Sequence, residues 1–129
     1  MKVLAEISVG ELFDKITILN IKTKKIEDKQ KLKNILKELN TLNEQATKID
    51  ISDKLSLDDQ VKKLQSINEE LWDIENFKRE CEANKDFGEN FIKLSRDVHF
   101  KNDIRAEIKK EINLLSNSIT VEEKEYSKY

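Results

Sequence analysis

Apolar residues recur along this chain at steps of three and four, the spacing that lays them on one face of an α-helix. After a short extended arm, residues 1–7, the row Val9, Leu12, Ile16, Leu19, Thr23, Ile26 runs at heptad spacing. Ser8 and Glu11 stand in the Ser-x-x-Glu arrangement of a capping box, in which hydroxyl and carboxylate meet the first free N–H groups. A first helix is therefore expected over 8–26. The row loses phase at Glu27-Asp28, because polar Gln30 and Lys33 occupy the positions that would continue it. It restarts as Leu32, Ile35, Leu39, Leu42, Ala46, Ile49. That predicts a kink or short turn at 27–29 and a second helix over 29–48, with Asp28 as its N-cap.

Residues 50–53 read as a loop. The row Val61, Leu64, Ile67, Leu71, Ile74, Lys78, Cys81 predicts a third helix over 57–84, started by Ser56 and favoured by Asp58 and Asp59 near its positive end. Asp86-Phe87-Gly88 breaks it. A fourth helix over 89–118 carries Phe91, Leu94, Val98, then polar Asn102 and Arg105, then Ile108, Ile112 and Leu115. Residues 119–129 show no period and read as an irregular tail.

At 1.5 Å per residue the last two helices would be about 40–45 Å long, and the first two placed end to end would match them. Short connections make antiparallel neighbours. The expected fold is all-α: one domain over 1–129, an elongated antiparallel bundle of three to four long helices, with the first two forming one kinked layer. So thin a bundle has a small core, which favours completing it with a second copy or another protein.

Composition narrows the function. Of 129 residues 39% are charged and 37% hydrophobic, with Gly 2 and Pro 0. So few turn-formers argue against a many-stranded β protein. A net charge of -2 gives no reason to expect nucleic acid. No apolar run is long enough for a membrane span, and Glu6 arrives too early for a signal peptide, so the chain is expected to be cytoplasmic. One cysteine, Cys81, excludes an internal disulfide; with one histidine, His99, it excludes Cys/His zinc sites and a paired Glu-x-x-His di-iron centre. Cys81 lies on an apolar row and reads as a small buried hydrophobe. His99 and Asp97 are two residues apart, on different helix faces, and cannot form a dyad with each other.

Three features carry candidate chemistry. The first is the polar break in the fourth row. Arginine is scarce, only Arg79, Arg96 and Arg105, and Arg105 and Asn102 occupy positions that expect apolar residues. A buried guanidinium requires acid or amide partners. Arg105 is therefore expected to pair with Glu75 or Asp14, with Asn68 and Asn102 nearby. Such a cluster serves either as a polar layer that fixes helix register or as an inter-helix site for a small anion, such as a phosphosugar or nucleotide. The candidate ligand-binding residues are Asp14, Lys15, Asn68, Trp72, Glu75, Arg96, Asn102 and Arg105.

The second is the repeated tetrad Glu11-Leu12-Phe13-Asp14 and Glu70-Leu71-Trp72-Asp73. Paired carboxylates at i, i+3 share a helix face, and hard oxygen ligands suit Mg²⁺, as in all-α pyrophosphohydrolases. Glu11, Asp14, Glu70 and Asp73 are thus candidate metal ligands, although Glu11 already has a capping role. The third is charge asymmetry. Seven lysines between Lys22 and Lys37 face only Glu27 and Asp28, a local balance of +5. From Asp58 to Glu82 eight acids face four basic residues, a balance of -4. Attraction between adjacent helices is the simplest use of this asymmetry; docking of the basic face on an acidic partner or on lipid head groups is another.

The stretches Ile7–Leu19, Asn68–Glu75, Asn102–Asn113 and Glu122–Tyr126 resemble those of a small bacterial family known only as a domain of unknown function. The resemblance implies a cytoplasmic, single-domain helical protein. It implies no activity and no cofactor. Two positions depart from its pattern: Lys29 stands where members often have proline, and His99 where they tend to have tyrosine. Three readings follow: a non-catalytic interaction or scaffold module that self-associates as a homodimer or binds a protein partner; a binder of a small anion; and a Mg²⁺-dependent hydrolase.

Overall fold

The computed structural model describes residues 1–129 and contains four helices: α1 (Val9–Lys25), α2 (Lys29–Thr47), α3 (Lys54–Ala83) and α4 (Glu89–Leu115). No helix is long and apolar enough to cross a membrane. α1 starts where the sequence signal put it, the Ser8 hydroxyl accepting from the Glu11 N–H at 3.0 Å. The reciprocal half of the capping box does not form, because the Glu11 carboxylate is drawn to Lys109 at 2.7 Å. Asp28 caps α2 by accepting from the Lys31 N–H at 2.9 Å.

α3 begins earlier than expected. Asp53 is its N-cap, and Ser56, expected to start the helix, instead donates to the Asp53 carboxylate from both its N–H and its hydroxyl. The Ser56 hydrogen bonds hold the Asp53 carboxyl below the usual carboxylate range. α3 ends with Lys85 in the left-handed region (φ 53), closed by the Asp86 N–H on the Cys81 carbonyl at 2.8 Å. Gly88 serves as the N-cap of α4. α4 stops at Leu115, short of 118, because Asn117 (φ 50) turns the chain and the Ser118 N–H closes on the Asn113 carbonyl.

α3 and α4 run antiparallel, as Glu70–Lys101 and Cys81–Asn90 pairings along the two helices require. α1 lies antiparallel to α4, with Gly10 against Asn113 and Asp14 against Arg105. α1 packs on all three other helices, whereas α2 packs on α1 alone. The first two helices are therefore not one kinked layer laid end to end. Ile26, Glu27 and Asp28 reverse the chain, and α2 folds back on α1 as a helical hairpin.

The core has two parts. Ile51, Leu57, Leu64, Ile67, Ile108 and Ile112 pack where α3 and α4 meet, with Val9 and Phe13 of α1 against them. Leu12, Ile16 and Leu19 pack with Ile35 and Leu39 between α1 and α2. Phe13 and Ile49 touch both. Ile51 lies in the connection read as loop, yet it is buried and anchors that connection to the core. Each such side chain contributes about 1.5–3 kcal/mol when fully buried.

Candidate functional site

The polar residues of α1, α3 and α4 meet at one junction. Asp14 points from α1 into the space between α3 and α4 and is 2% exposed. Its Oδ1 accepts from Asn68 Nδ2 at 2.9 Å and from Arg105 Nε at 3.0 Å; its Oδ2 accepts from Arg105 Nη2 at 2.5 Å. This is a two-pronged guanidinium–carboxylate pair, the geometry in which arginine differs most from lysine. The Asn68 amide also donates to the Thr17 hydroxyl at 2.9 Å, and that hydroxyl donates to the Asp14 carbonyl. Arg105 Nη1 reaches the Asn102 side-chain oxygen at 3.5 Å.

Lys109, one turn beyond Arg105, lies within 2.7 Å of Glu11, 3.1 Å of Glu122 and 3.7 Å of Asp14. Burial disfavours the charged form of Asp14, but hydrogen bonds from Arg105 and Asn68, with the positive charges of Arg105 and Lys109, outweigh it. The Asp14 carboxyl is held below its ordinary value. Burial likewise works against the cations, yet the facing carboxylates raise both Arg105 and Lys109 above their ordinary values.

The start of α1 is closed by the end of α4. The Val9 N–H donates to the Ser118 hydroxyl at 3.1 Å and the Gly10 N–H to the Asn113 side-chain oxygen at 2.7 Å. Together with Ser8 on the Glu11 N–H, these satisfy the first turn's free donors. Gly10 is needed for this approach: a Cβ there would sit 2.5 Å from the Lys109 carbonyl oxygen. The chain after α4 then straps the junction. The Ser8 hydroxyl donates to Glu122, Lys124 pairs with Asp103, and Tyr129 donates to Asp103 and packs edge-on against Phe100. The Asp103 bond raises the Tyr129 phenol above its ordinary value.

Of the sequence-predicted residues, Asp14, Asn68, Asn102 and Arg105 converge. Arg105 takes Asp14 as its partner; Glu75, the other candidate, is exposed and binds Arg79 at 2.9 Å. Lys15 points to solvent, 3.7 Å from Glu11. Trp72 is half-buried. Arg96 is exposed on the outer face of α4 beside Ile92 and Phe100. The four carboxylates of the tetrads do not gather: Glu11 and Asp14 meet around Lys109, Glu70 is held by Lys101 at 2.8 Å, and Asp73 is exposed. No three acidic, histidine or cysteine residues cluster in a way that could hold a metal ion. Sequence reasoning missed Lys109, Asn113, Gly10 and Glu122. The spacing held a signal for two of them, since Arg105, Lys109 and Asn113 form a polar line at steps of four.

Every buried side-chain nitrogen and oxygen has a hydrogen-bond partner. The molecule is thus a helical bundle whose buried polar junction is fully satisfied from within the chain. The chain belongs to the family of unknown function DUF6165, which matches residues 1–129. No curated protein and no solved structure matches it.

Proposed function

We propose that this protein is a non-catalytic, cytoplasmic helical interaction module that works by self-association. One observation carries the reading. The buried polar groups of the junction are spent on each other, while the molecule leaves apolar helix surface open. A groove between α3 and α4, with Ile67, Ile104 and Ile108 at its apolar part and Asp59, Lys62, Lys63, Ser66 and Glu70 around them, is uncovered, and Phe77, Phe100 and Ile104 are each roughly half exposed. In a chain of this size, exposed apolar surface flanked by charge is what an interface requires.

A closed polar layer supports this reading because it fixes register without needing a ligand. Sedimentation equilibrium over a wide concentration range tests it. A mass that rises from one to two protomers with concentration is the expected result. A monomer at millimolar concentration overturns the reading.

A further inference from the structure

The lysines of α2 and the acids of α3 do not neutralise each other, because the two helices make no contact. A charge pattern with a readable use lies in the arm before α1. Residues 1–7 take part in no helix and in no backbone hydrogen bond. All of them are exposed, Val3 by 80% and Leu4 by 85%. Neither Lys2 nor Glu6 forms an ion pair within the chain. The arm leaves the bundle from a fixed base: Ser8 is buried, donates to Glu122 and accepts from the Glu11 N–H. Its backbone is thus a row of free N–H and C=O groups held out from the bundle, the template on which another strand adds.

The arm also has the pattern of a strand. Met1, Val3, Ala5 and Ile7 alternate with Lys2, Leu4 and Glu6, so a strand here turns one apolar face and one charged face outward. Paired with its own copy, that pattern is self-complementary in a single register. In an antiparallel pair with Leu4 opposite Leu4, Lys2 lies opposite Glu6 twice and Val3 opposite Ala5 twice. Slipping the pair by two residues sets Leu4 against Lys2 or Glu6 and loses both ion pairs. A parallel pair in register sets lysine against lysine and glutamate against glutamate. Two strands alone are marginal in water without cover for their apolar face. The strap passes the base of the arm, where Glu122 meets Ser8 and Ser118 meets Val9, and it carries the exposed Ile119 and Val121 there.

We propose that residues 2–6 of two copies pair as an antiparallel ribbon across a two-fold axis at Leu4, with Lys2 of each copy on Glu6 of the other. The contact is isologous, so one arm sequence supplies both sides of it. This inference rests on the self-association proposed above and names the segment that produces it.

Two sets of variants test it by sedimentation equilibrium. Leu4→Pro with Ala5→Pro removes N–H groups at adjacent positions, one of which faces the partner in either pairing. It is expected to weaken the dimer at least roughly tenfold. Lys2→Glu alone and Glu6→Lys alone each place two pairs of like charges across the ribbon, and each is expected to weaken it about three- to tenfold. The double swap, Lys2→Glu with Glu6→Lys, restores opposite charges in the same chain and is expected to return to within about twofold of the wild type. All four positions are exposed and lie outside the helices, and melting curves identify any variant that fails to fold.

A wild-type dimer that the prolines leave intact overturns this inference and leaves the self-association reading standing. A double swap that binds no more tightly than the single swaps does the same, because Lys2 and Glu6 then do not face each other. A wild-type chain that stays monomeric at millimolar concentration overturns both.

Discussion

α1 and α2 are built on the same kind of apolar row and are close in length, yet α1 buries seven of its 17 residues and α2 two of its 19. The difference lies in the residues beside the row. α1 carries Gly10, which lets α4 approach, and Asp14 and Thr17, which engage α3 and α4. α2 carries lysine, asparagine and glutamate in the corresponding places and packs on α1 alone. An apolar row secures one neighbour. Further neighbours need small or precisely paired polar residues off the row, so α1 is the centre of the fold and α2 an attachment to it.

Substitutions on the two helices should separate these roles. The largest effect is expected at Asp14. Asp14→Ala leaves the half-buried Arg105 without its carboxylate, a loss of about 3–5 kcal/mol measured by urea unfolding. A loss under 1 kcal/mol would mean the junction does not hold α1.

The same carboxyl sets an acid limit. Its folded value lies below its unfolded one, so its contribution is complete above the ordinary carboxylate value, near 3.9. That contribution is lost as pH falls through the lowered folded value. Melting curves from pH 6 to pH 2 should fall steeply at the acid end in wild type and less steeply in Asp14→Asn.

Leu39→Ala, in the layer between α1 and α2, should cost about 2–3 kcal/mol. Its signature should be selective: hydrogen exchange quickens in α2 before α3 and α4 are affected. Uniform quickening would make α2 an integral part of the bundle. Gly10→Ala, which drives a methyl group against the Lys109 carbonyl, should cost about 1–3 kcal/mol by the same unfolding assay.

The smallest contrast is between the two N-caps. Asp28→Ala, exposed, should cost about 1 kcal/mol. Ser8→Ala removes the cap and the hydroxyl bound to Glu122, and should cost about 2 kcal/mol. Equal losses would show that the strap after α4 adds nothing to the start of α1.

The rows placed all four helices in the sequence, because heptad spacing is a local property. They did not distinguish a kink from a reversal at 27–29, since three polar residues permit either and only the tertiary partner of Ile35 and Leu39 decides. Nor did local sequence separate Asp53 from Ser56 as the α3 cap, as both are capping residues three apart. At the junction, Arg105 on an apolar row demanded a carboxylate, and that demand was readable. Which carboxylate, Asp14 or Glu75, depended on how α1 lies against α3. Gly10 was visible as a residue but not as a contact, because its role is defined by a carbonyl on a helix some hundred positions away.

That sequence distance has a consequence for how the chain is made. Asp14 meets Arg105 across 91 positions and Ser8 meets Glu122 across 114. At a synthesis rate of 5–20 residues per second, Asp14 is incorporated about 5–18 s before Arg105. Through that interval α1 carries a charged residue on the face that will later be sealed; it has α2 to pack against first and then α3, whose Asn68 amide reaches Asp14, but not the guanidinium. The early α1–α2 hairpin can therefore form only a partial, reversible pairing, and the completed fold must wait for the chain's last long helix to arrive.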